Sequence, residues 1–337
     1  MIREAIEKLV NGESLSIDQS SQAMDEIMSG TATPAQFGAF VTALRLKGET
    51  VDEIAGMAQT MRRKSLKVQI DDPVVDTCGT GGDSSHTFNI STTAGFVVAG
   101  TGIKVAKHGN RAMSGSCGSA DVLESLGVNI ELDPNGVEKC LNEVGYGFMF
   151  AQKFHPSMRY AAGPRKEIGI RSVFNILGPL TNPAGANAQL IGVANSDIAE
   201  SIAKVLARLG SHHAMVVHGE DGLDEITLGD ATQVWELKNG EISSYTLTPD
   251  GLGFKKVKRE ELVVHSPIES AKKTRQVLEG SAGPERDVVV VNSAATLLAA
   301  DRVSSMEEGI ALSYKSIDDG QAKAKLDYLI TLSNQLK

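Results

Sequence analysis

The sequence predicts an α/β protein in which a small all-helical N-terminal domain precedes a large α/β domain with a mostly parallel central sheet. Three observations carry this expectation. Residues 1–70 contain three helix-start signals in succession. From about Ile70 onward, short β-branched runs alternate with Ala-rich stretches. Two of those runs, Ala214-Met215-Val216-Val217 and Asp287-Val288-Val289-Val290-Val291, are apolar without alternation, as expected of parallel strands covered on both faces. The expected domains are residues 1–70, helical, and residues 71–337, α/β, with part of the segment 158–185 folding back onto the helices.

In the helical part, Ser16-Ile17-Asp18-Gln19, Thr33-Pro34-Ala35-Gln36 and Thr50-Val51-Asp52-Glu53 each place a hydroxyl three residues before Gln or Glu. In such a capping box, the two side chains satisfy free backbone donors of the first turn reciprocally. Pro34 falls at the first helical position, where its missing N–H costs nothing. Gly30 and Gly48 stand where the preceding helices should stop. Between these signals, Met24, Ile27 and Met28, then Phe37, Phe40, Val41 and Leu44, recur at helical spacing.

In the α/β part, Val74-Val75 is read as a strand running into a glycine-rich loop, and residues 93–99 as the helix that follows. Ile103-Lys104-Val105-Ala106 is read as the next strand and residues 120–126 as the next helix. Strands are expected again at residues 214–217 and 287–291, the latter running into Ser293-Ala294-Ala295. Asn182-Pro183-Ala184-Gly185 and Gly251-Leu252-Gly253 signal turns.

Composition narrows the function classes. A chain of 337 residues with net charge −9 offers no global basic field for nucleic acid or anionic membrane. Mean hydropathy is −0.09, and no apolar stretch is long enough to span a bilayer. The start Met1-Ile2-Arg3-Glu4-Ala5-Ile6-Glu7 lacks the apolar stretch of a signal peptide. The three cysteines, Cys78, Cys117 and Cys140, show no C-x-x-C spacing, so neither a disulfide framework nor a zinc site is expected and a reducing cytoplasm fits. Without a secretory signal, the sequon Asn89-Ile90-Ser91 is accidental.

The chemistry concentrates in two glycine-rich segments. The first is Asp76-Thr77-Cys78-Gly79-Thr80-Gly81-Gly82-Asp83. The second is Lys107-His108-Gly109-Asn110-Arg111-Ala112-Met113-Ser114-Gly115-Ser116-Cys117-Gly118-Ser119-Ala120-Asp121. A strand that ends in glycines and turns into a helix directs unpaired N–H groups and the helix dipole at one spot, which is an anion site. Two such loops point to a ligand with two separate phosphate groups. Neither is a P-loop, since G-x-x-x-x-G-K-[ST] is absent, and no G-x-G-x-x-G opens a helix as in dinucleotide folds. Asp71-Asp72 only faintly matches the acidic pair of common phosphoribosyltransferases, and Pro73 interrupts it.

Together the loops resemble the nucleoside phosphorylase-II / anthranilate phosphoribosyltransferase superfamily, and most closely its anthranilate phosphoribosyltransferase family. Residues 76–83 are similar to that family's D-x-x-G-T-G-G-D loop, and Asn89-Ile90-Ser91-Thr92 to its N-x-S-T segment. Residues 107–124 resemble its K-H-G-N-R…G-S-A-D-V-L-E stretch. A long block from Arg165-Lys166-Glu167 to Thr181-Asn182-Pro183, the acidic block His218-Gly219-Glu220-Asp221-Gly222-Leu223-Asp224-Glu225, and Leu44-Arg45-Leu46-Lys47-Gly48-Glu49-Thr50 also look like family sequence. Gly115 and Cys117 depart from the Ser or Ala more usual in the second loop, which blurs the role of each small residue there.

The resemblance implies transfer of the phosphoribosyl group of phosphoribosyl pyrophosphate (PRPP) to the amine of anthranilate, a step of tryptophan synthesis, with Mg²⁺ as cofactor. It implies PRPP contacts from Gly79, Gly82, Asp83 and Thr87, then from Asn89, Ile90, Ser91 and Thr92. The second loop would add Lys107, His108, Gly109, Asn110, Arg111, Ala112, Met113, Ser114 and Gly115, with Ser119 beyond it. Ser91, Asp224 and Glu225 are the implied metal ligands, completed by pyrophosphate oxygens and water. Anthranilate would meet Gly79, Asn110, His108 and Arg165, whose guanidinium suits a carboxylate. The aromatic amine is neutral and nucleophilic, so no dedicated general base is assigned, with His108 the one candidate. The family implies a cleft between the two domains that closes by a hinge, bringing Arg165 towards the loops, and a homodimer through the helical domains.

Blander readings exist for each feature. A single glycine run is more often a turn, Asp224-Glu225 a solvated loop, Arg165 a surface ion pair and Lys107 a snorkelling side chain. His212-His213 reads as a solvent-facing or half-buried pair, Cys78 and Cys117 as small loop residues, and Lys255-Lys256-Val257-Lys258-Arg259 as a solvated edge. Two rival functions make different demands on the chain. A pyrimidine nucleoside phosphorylase would need one phosphate cradle and no acidic metal pair. A non-catalytic nucleic-acid binder would need a basic stripe and eroded loops, and the chain has neither.

Overall fold

The computed structural model describes residues 1–112 and 117–336. The chain opens with α1 (Ile2–Val10), α2 (Ile17–Met28), α3 (Pro34–Lys47) and α4 (Val51–Lys64). There follow β1 (Val74–Gly79), α5 (Ile90–Gly100), β2 (Lys104–Gly109), α6 (Ser119–Leu126), α7 (Pro134–Glu143) and β3 (Tyr146–Phe150). Next come α8 (Ala151–Phe154), α9 (Arg159–Ile168), β4 (Ala188–Gly192), α10 (Ala199–Arg208) and β5 (His213–Gly219). The chain closes with the hairpin β6 (Thr232–Lys238) and β7 (Glu241–Leu247), then α11 (Pro267–Leu278), α12 (Pro284–Ala299), α13 (Met306–Asp318) and α14 (Gln321–Gln335).

All three capping boxes form. Ser16, Thr33 and Thr50 each accept from the backbone three residues on, and Gln19, Gln36 and Glu53 reach back. Glu53 does more than cap. Its carboxylate has no exposed surface and accepts from Leu15 N at 2.9 Å, Thr50 N at 2.8 Å and Lys47 Nζ at 3.0 Å. One buried anion therefore ties the α1–α2 turn, α3 and α4 together. Glu53→Ala would strand three donors and is expected to destabilise the fold by about 3–5 kcal/mol. The midpoint of urea unfolding measures this, and an unshifted midpoint would show the network to be dispensable.

Among the described residues seven strands form one sheet, in the order β3-β2-β1-β4-β5-β6-β7. Neighbours from β3 to β5 run parallel, while β5–β6 and β6–β7 are antiparallel. The expected mostly parallel sheet is thus present. Alternate residues of β5 divide its two faces. Met215 and Val217 join a core with α5 and α12, whereas Ala214 and Val216 join one with α10 and the N-terminal helices.

That second core also takes in Ala161, Val173, Phe174, Leu177 and Leu180. Helix α9 packs on α2 and α3, and the Phe174 ring lies 5.4 Å from that of Phe37. The segment carrying Arg165 is therefore anchored on the helices and faces the sheet.

The structure corrects four sequence expectations. Residues 287–291 are not a strand: they lie inside α12, which starts at Pro284 and buries Val288, Val289, Val290 and Val291 completely. A helix apolar on all sides is a buried helix, and four consecutive valines cannot distinguish it from a buried strand. Strand β1 continues through Gly79 and β2 through Gly109, so Asp76, Cys78, Lys107 and His108 are strand residues and not loop residues. Cys78 is buried there. His213 is neither solvent-facing nor half-buried. Its ring has no exposure, because it sits between Asp301 Oδ1 at 2.9 Å and Glu236 Oε1 at 2.8 Å. Buried polar rings need such partners. His212 stays exposed and reaches the other oxygen of Asp301.

Candidate active site

The C-terminal ends of β1, β2 and β5 converge, the place where open parallel sheets bind ligands. Gly79 ends β1, and Gly81 and Gly82 follow with φ of +66° and +81°, backbone that favours glycine. Gly79 must also be small: a Cβ there would stand 2.5 Å from Asp224 Oδ2. Asp224 in turn accepts from Gly81 N at 2.9 Å, and Glu225 Oε1 accepts from Ser91 N at 3.1 Å at the start of α5. The acidic turn after β5 is thus seated on the first loop and on the helix behind it.

Lys107 is the cation of this floor. It is 2% exposed, donates to Thr77 O at 2.5 Å, and reaches Ser91 Oγ at 3.3 Å. Asp76 lies below it without exposure, accepting from Asn182 Nδ2 at 2.8 Å. Burial raises the Asp76 carboxyl to about 6, with Lys107 and Asn182 pulling the other way. Burial also raises both Asp224 and Glu225. Asp83 adds to the rise at Asp224, and Asp224 to that at Glu225, while Lys107 opposes it at Glu225. These carboxylates hold like charge together with less counter-charge than they need, a condition that a divalent cation relieves.

Asn89 stands at the N-cap position of α5, with its side chain turned to other partners. It accepts from Ser270 Oγ at 2.8 Å and donates to Cys117 O at 3.4 Å. Ile90 and Thr92 bury their side chains in the fold, and Ile90 N donates to Phe88 O at 2.7 Å. Thr87 Oγ1 pairs with Ser85 Oγ at 3.3 Å. In the second loop, Arg111 is clamped by Asp121 at 3.0 Å and Glu124 at 2.6 Å, and Ala112 N donates to Asp121 Oδ2. Ser119 Oγ donates to Asn110 O, closing the loop onto the first turn of α6 beside Gly109. Met113, Ser114 and Gly115 lie outside the described residues.

Arg165 lies on α9 with its guanidinium 6.0 Å from the Phe174 ring centroid. His108 is nearly buried, with Nδ1 3.2 Å from Gly178 O and no partner for Nε2 among the described residues. Burial lowers His108 to about 4, so the ring is neutral near pH 7 and can accept a proton only weakly. Sequence reasoning missed His155, whose ring lies 5.0 Å from that of His108. It also missed Asp76 and Asn182 as the support under Lys107. Asp76 and Asn182 lie within the motif blocks, but no spacing rule predicts their pairing across 106 positions. His155 had no such signal.

Comparison with known proteins agrees with this geometry. Residues 71–323 match the glycosyl transferase family, a/b domain, and residues 3–65 match the glycosyl transferase family, helical bundle domain. The chain is 53% identical to an anthranilate phosphoribosyltransferase of Moorella thermoacetica over 98% of each chain. It is 54% identical to one of Herpetosiphon aurantiacus over 99% of each.

The chain belongs to the anthranilate phosphoribosyltransferase family.

Solved members superpose closely. The Thermus thermophilus anthranilate phosphoribosyltransferase matches with a TM-score of 0.92 at 40% identity, over 98% of this chain and 99% of that one. The Saccharomyces cerevisiae member, solved in complex with PRPP and Mg, also matches with a TM-score of 0.92, at 28% identity, over 99% and 98% of the two chains. The helical bundle plus α/β sheet described above is the family's architecture.

Proposed function

We propose that this chain transfers the phosphoribosyl group of PRPP to the amine of anthranilate, releasing pyrophosphate, with Mg²⁺ as cofactor. The observation that carries this reading is the gathering of two glycine-rich segments, one buried lysine and a carboxylate pair at the C-terminal ends of β1, β2 and β5. A ligand with two phosphate groups and a metal ion matches that set.

In this reading Gly79, Gly82, Asp83 and Thr87, with Asn89, Ile90, Ser91 and Thr92, receive the pyrophosphate end. Lys107, Gly109, Asn110, Arg111, Ala112 and Ser119 complete the PRPP site. Ser91, Asp224 and Glu225 would hold Mg²⁺, and they fit it: all three present hard oxygen donors, and the two carboxylates are crowded for lack of positive charge. Among the described residues, no group of three or more His, Cys, Asp or Glu is arranged to hold a metal alone. That suits an ion which borrows its remaining ligands from substrate. When bound, the ion neutralises charge on the departing pyrophosphate.

Lys107 is fixed before the reaction, so it stabilises the same developing charge without reorganising. Arg165, Asn110, Gly79 and His108 would receive anthranilate, and positioning supplies much of the remaining rate. Movement of α9 towards the loops would exclude water. Arg165→Ala is expected to raise the anthranilate KM roughly tenfold to a hundredfold while leaving the PRPP KM near its original value. Unaltered anthranilate kinetics would take Arg165 out of the site.

We infer a cytoplasmic enzyme acting as a homodimer through the helical domains. Val10 and Leu46, at the ends of α1 and α3, are 70% and 83% exposed and support an apolar contact there. The free cysteines Cys78, Cys117 and Cys140 suit a reducing compartment. The deciding assay follows anthranilate fluorescence with PRPP and Mg²⁺, using EDTA as control. A decrease that needs both additions is expected. Cleavage of thymidine or uridine with inorganic phosphate instead would move the chain to the phosphorylase branch.

A further inference from the structure

Arg171 lies on the chain just after the α9 helix that bears Arg165, and its guanidinium reaches the first glycine loop. Nη2 donates to Gly81 O at 3.2 Å and Nη1 to Gly82 O at 3.3 Å. The contact is so close that a Cβ on Gly82 would stand 2.2 Å from Nη2. On its other side the loop gives the Gly81 N–H to Asp224 Oδ2 at 2.9 Å. A cation on the carbonyls and an anion on an amide therefore hold the loop between them.

The orientation of the remaining amides follows from peptide geometry. No cis peptide bond is present among the described residues, and in a planar trans peptide the C=O of one residue points opposite to the N–H of the next. With Gly81 O and Gly82 O both turned to Arg171, the N–H groups of Gly82 and Asp83 point away from it. Neither finds an acceptor among the described residues. The loop is also strained: Ser84 and His86 hold φ of +57° and +55°, a region costly for residues with a Cβ. Such a backbone relaxes unless something outside it fixes it.

We propose that Arg171 is a positioning residue: by holding the Gly81 and Gly82 carbonyls, it presets the Gly82 and Asp83 amides as donors to pyrophosphate oxygens. This deepens the reading given above and rests on it. It also ties the first loop to the segment that carries Arg165 through one side chain.

The test compares wild type with Arg171→Ala, Arg171→Gln and Arg171→Lys, using inorganic pyrophosphate with Mg²⁺ as the calorimetric probe and PRPP turnover as the second readout. The alanine variant is expected to bind pyrophosphate roughly tenfold or more weakly and to show a similar rise in PRPP KM, with kcat little changed. Arg171→Lys, which keeps the charge but offers a single point of contact, should recover part of the loss. Unaltered thermal unfolding in the variants separates positioning from support of the fold, and the glutamine variant serves if the alanine variant unfolds. Equal pyrophosphate binding by wild type and folded variants would overturn the proposal. A raised anthranilate KM in place of a raised PRPP KM would also overturn it, placing Arg171 with the acceptor. Wild type that binds pyrophosphate but leaves anthranilate untouched would sink only the assigned reaction. Wild type that binds no pyrophosphate would sink both.

Discussion

Exchanging the acidic pair for its amides, Asp224→Asn with Glu225→Gln, is expected to lower kcat/KM by roughly 10²–10³-fold at limiting Mg²⁺. The fold should survive the change. In the protein as it stands these two carboxylates are crowded against each other and Asp83, and Lys107 opposes the rise at Glu225 alone. Neutral amides of the same shape relieve that crowding while keeping an oxygen to accept from Gly81 N and Ser91 N. The melting temperature of the metal-free double variant should therefore hold or rise even as activity collapses. A Mg²⁺ titration of turnover, alongside thermal unfolding with EDTA, reads both quantities. Full activity at low Mg²⁺ would remove Asp224 and Glu225 from the metal site.

Lys107→Met is expected to cost a comparable factor, roughly 10²–10³ in kcat/KM. The side chain enters through β2 and is almost wholly enclosed, with Thr77 O and Ser91 Oγ as fixed acceptors. Methionine fills the slot but leaves Asp76 below and Glu225 above without their shared cation. Arginine should not rescue, because its planar fork cannot occupy a recess shaped for one ammonium. Circular dichroism establishes that each variant folds before kinetics are compared. A folded Lys107→Met protein with near-original turnover would show that the buried cation serves the fold and not the reaction.

The helical bundle was legible residue by residue, because capping boxes, a leading proline and terminal glycines are local signals whose partners lie within one turn. The two glycine-rich segments were equally legible as candidate anion sites, since crowding of small residues after a strand is also local. Strand ends were less so. Asp76 and Lys107 read as loop residues because nothing in the sequence says that β1 and β2 continue beneath them. The run at 288–291 read as a strand because four buried valines satisfy either period.

What the sequence determined by itself was therefore the list of chemical groups and the glycine turns among them: two glycine-rich segments, a lysine, an acidic pair and an arginine. Only the tertiary structure decided which of them meet. The acidic turn reaches the first loop because Gly79 and Gly192 both lack a Cβ where Asp224 passes. Lys107 faces Asp76 because β1 and β2 are parallel neighbours, and Arg171 reaches Gly81 and Gly82 because α9 is anchored on α2 and α3. Each of those meetings joins residues far apart in the chain. They follow from burial of shared apolar faces and have no local signature, which is why sequence spacing could name the participants but not pair them.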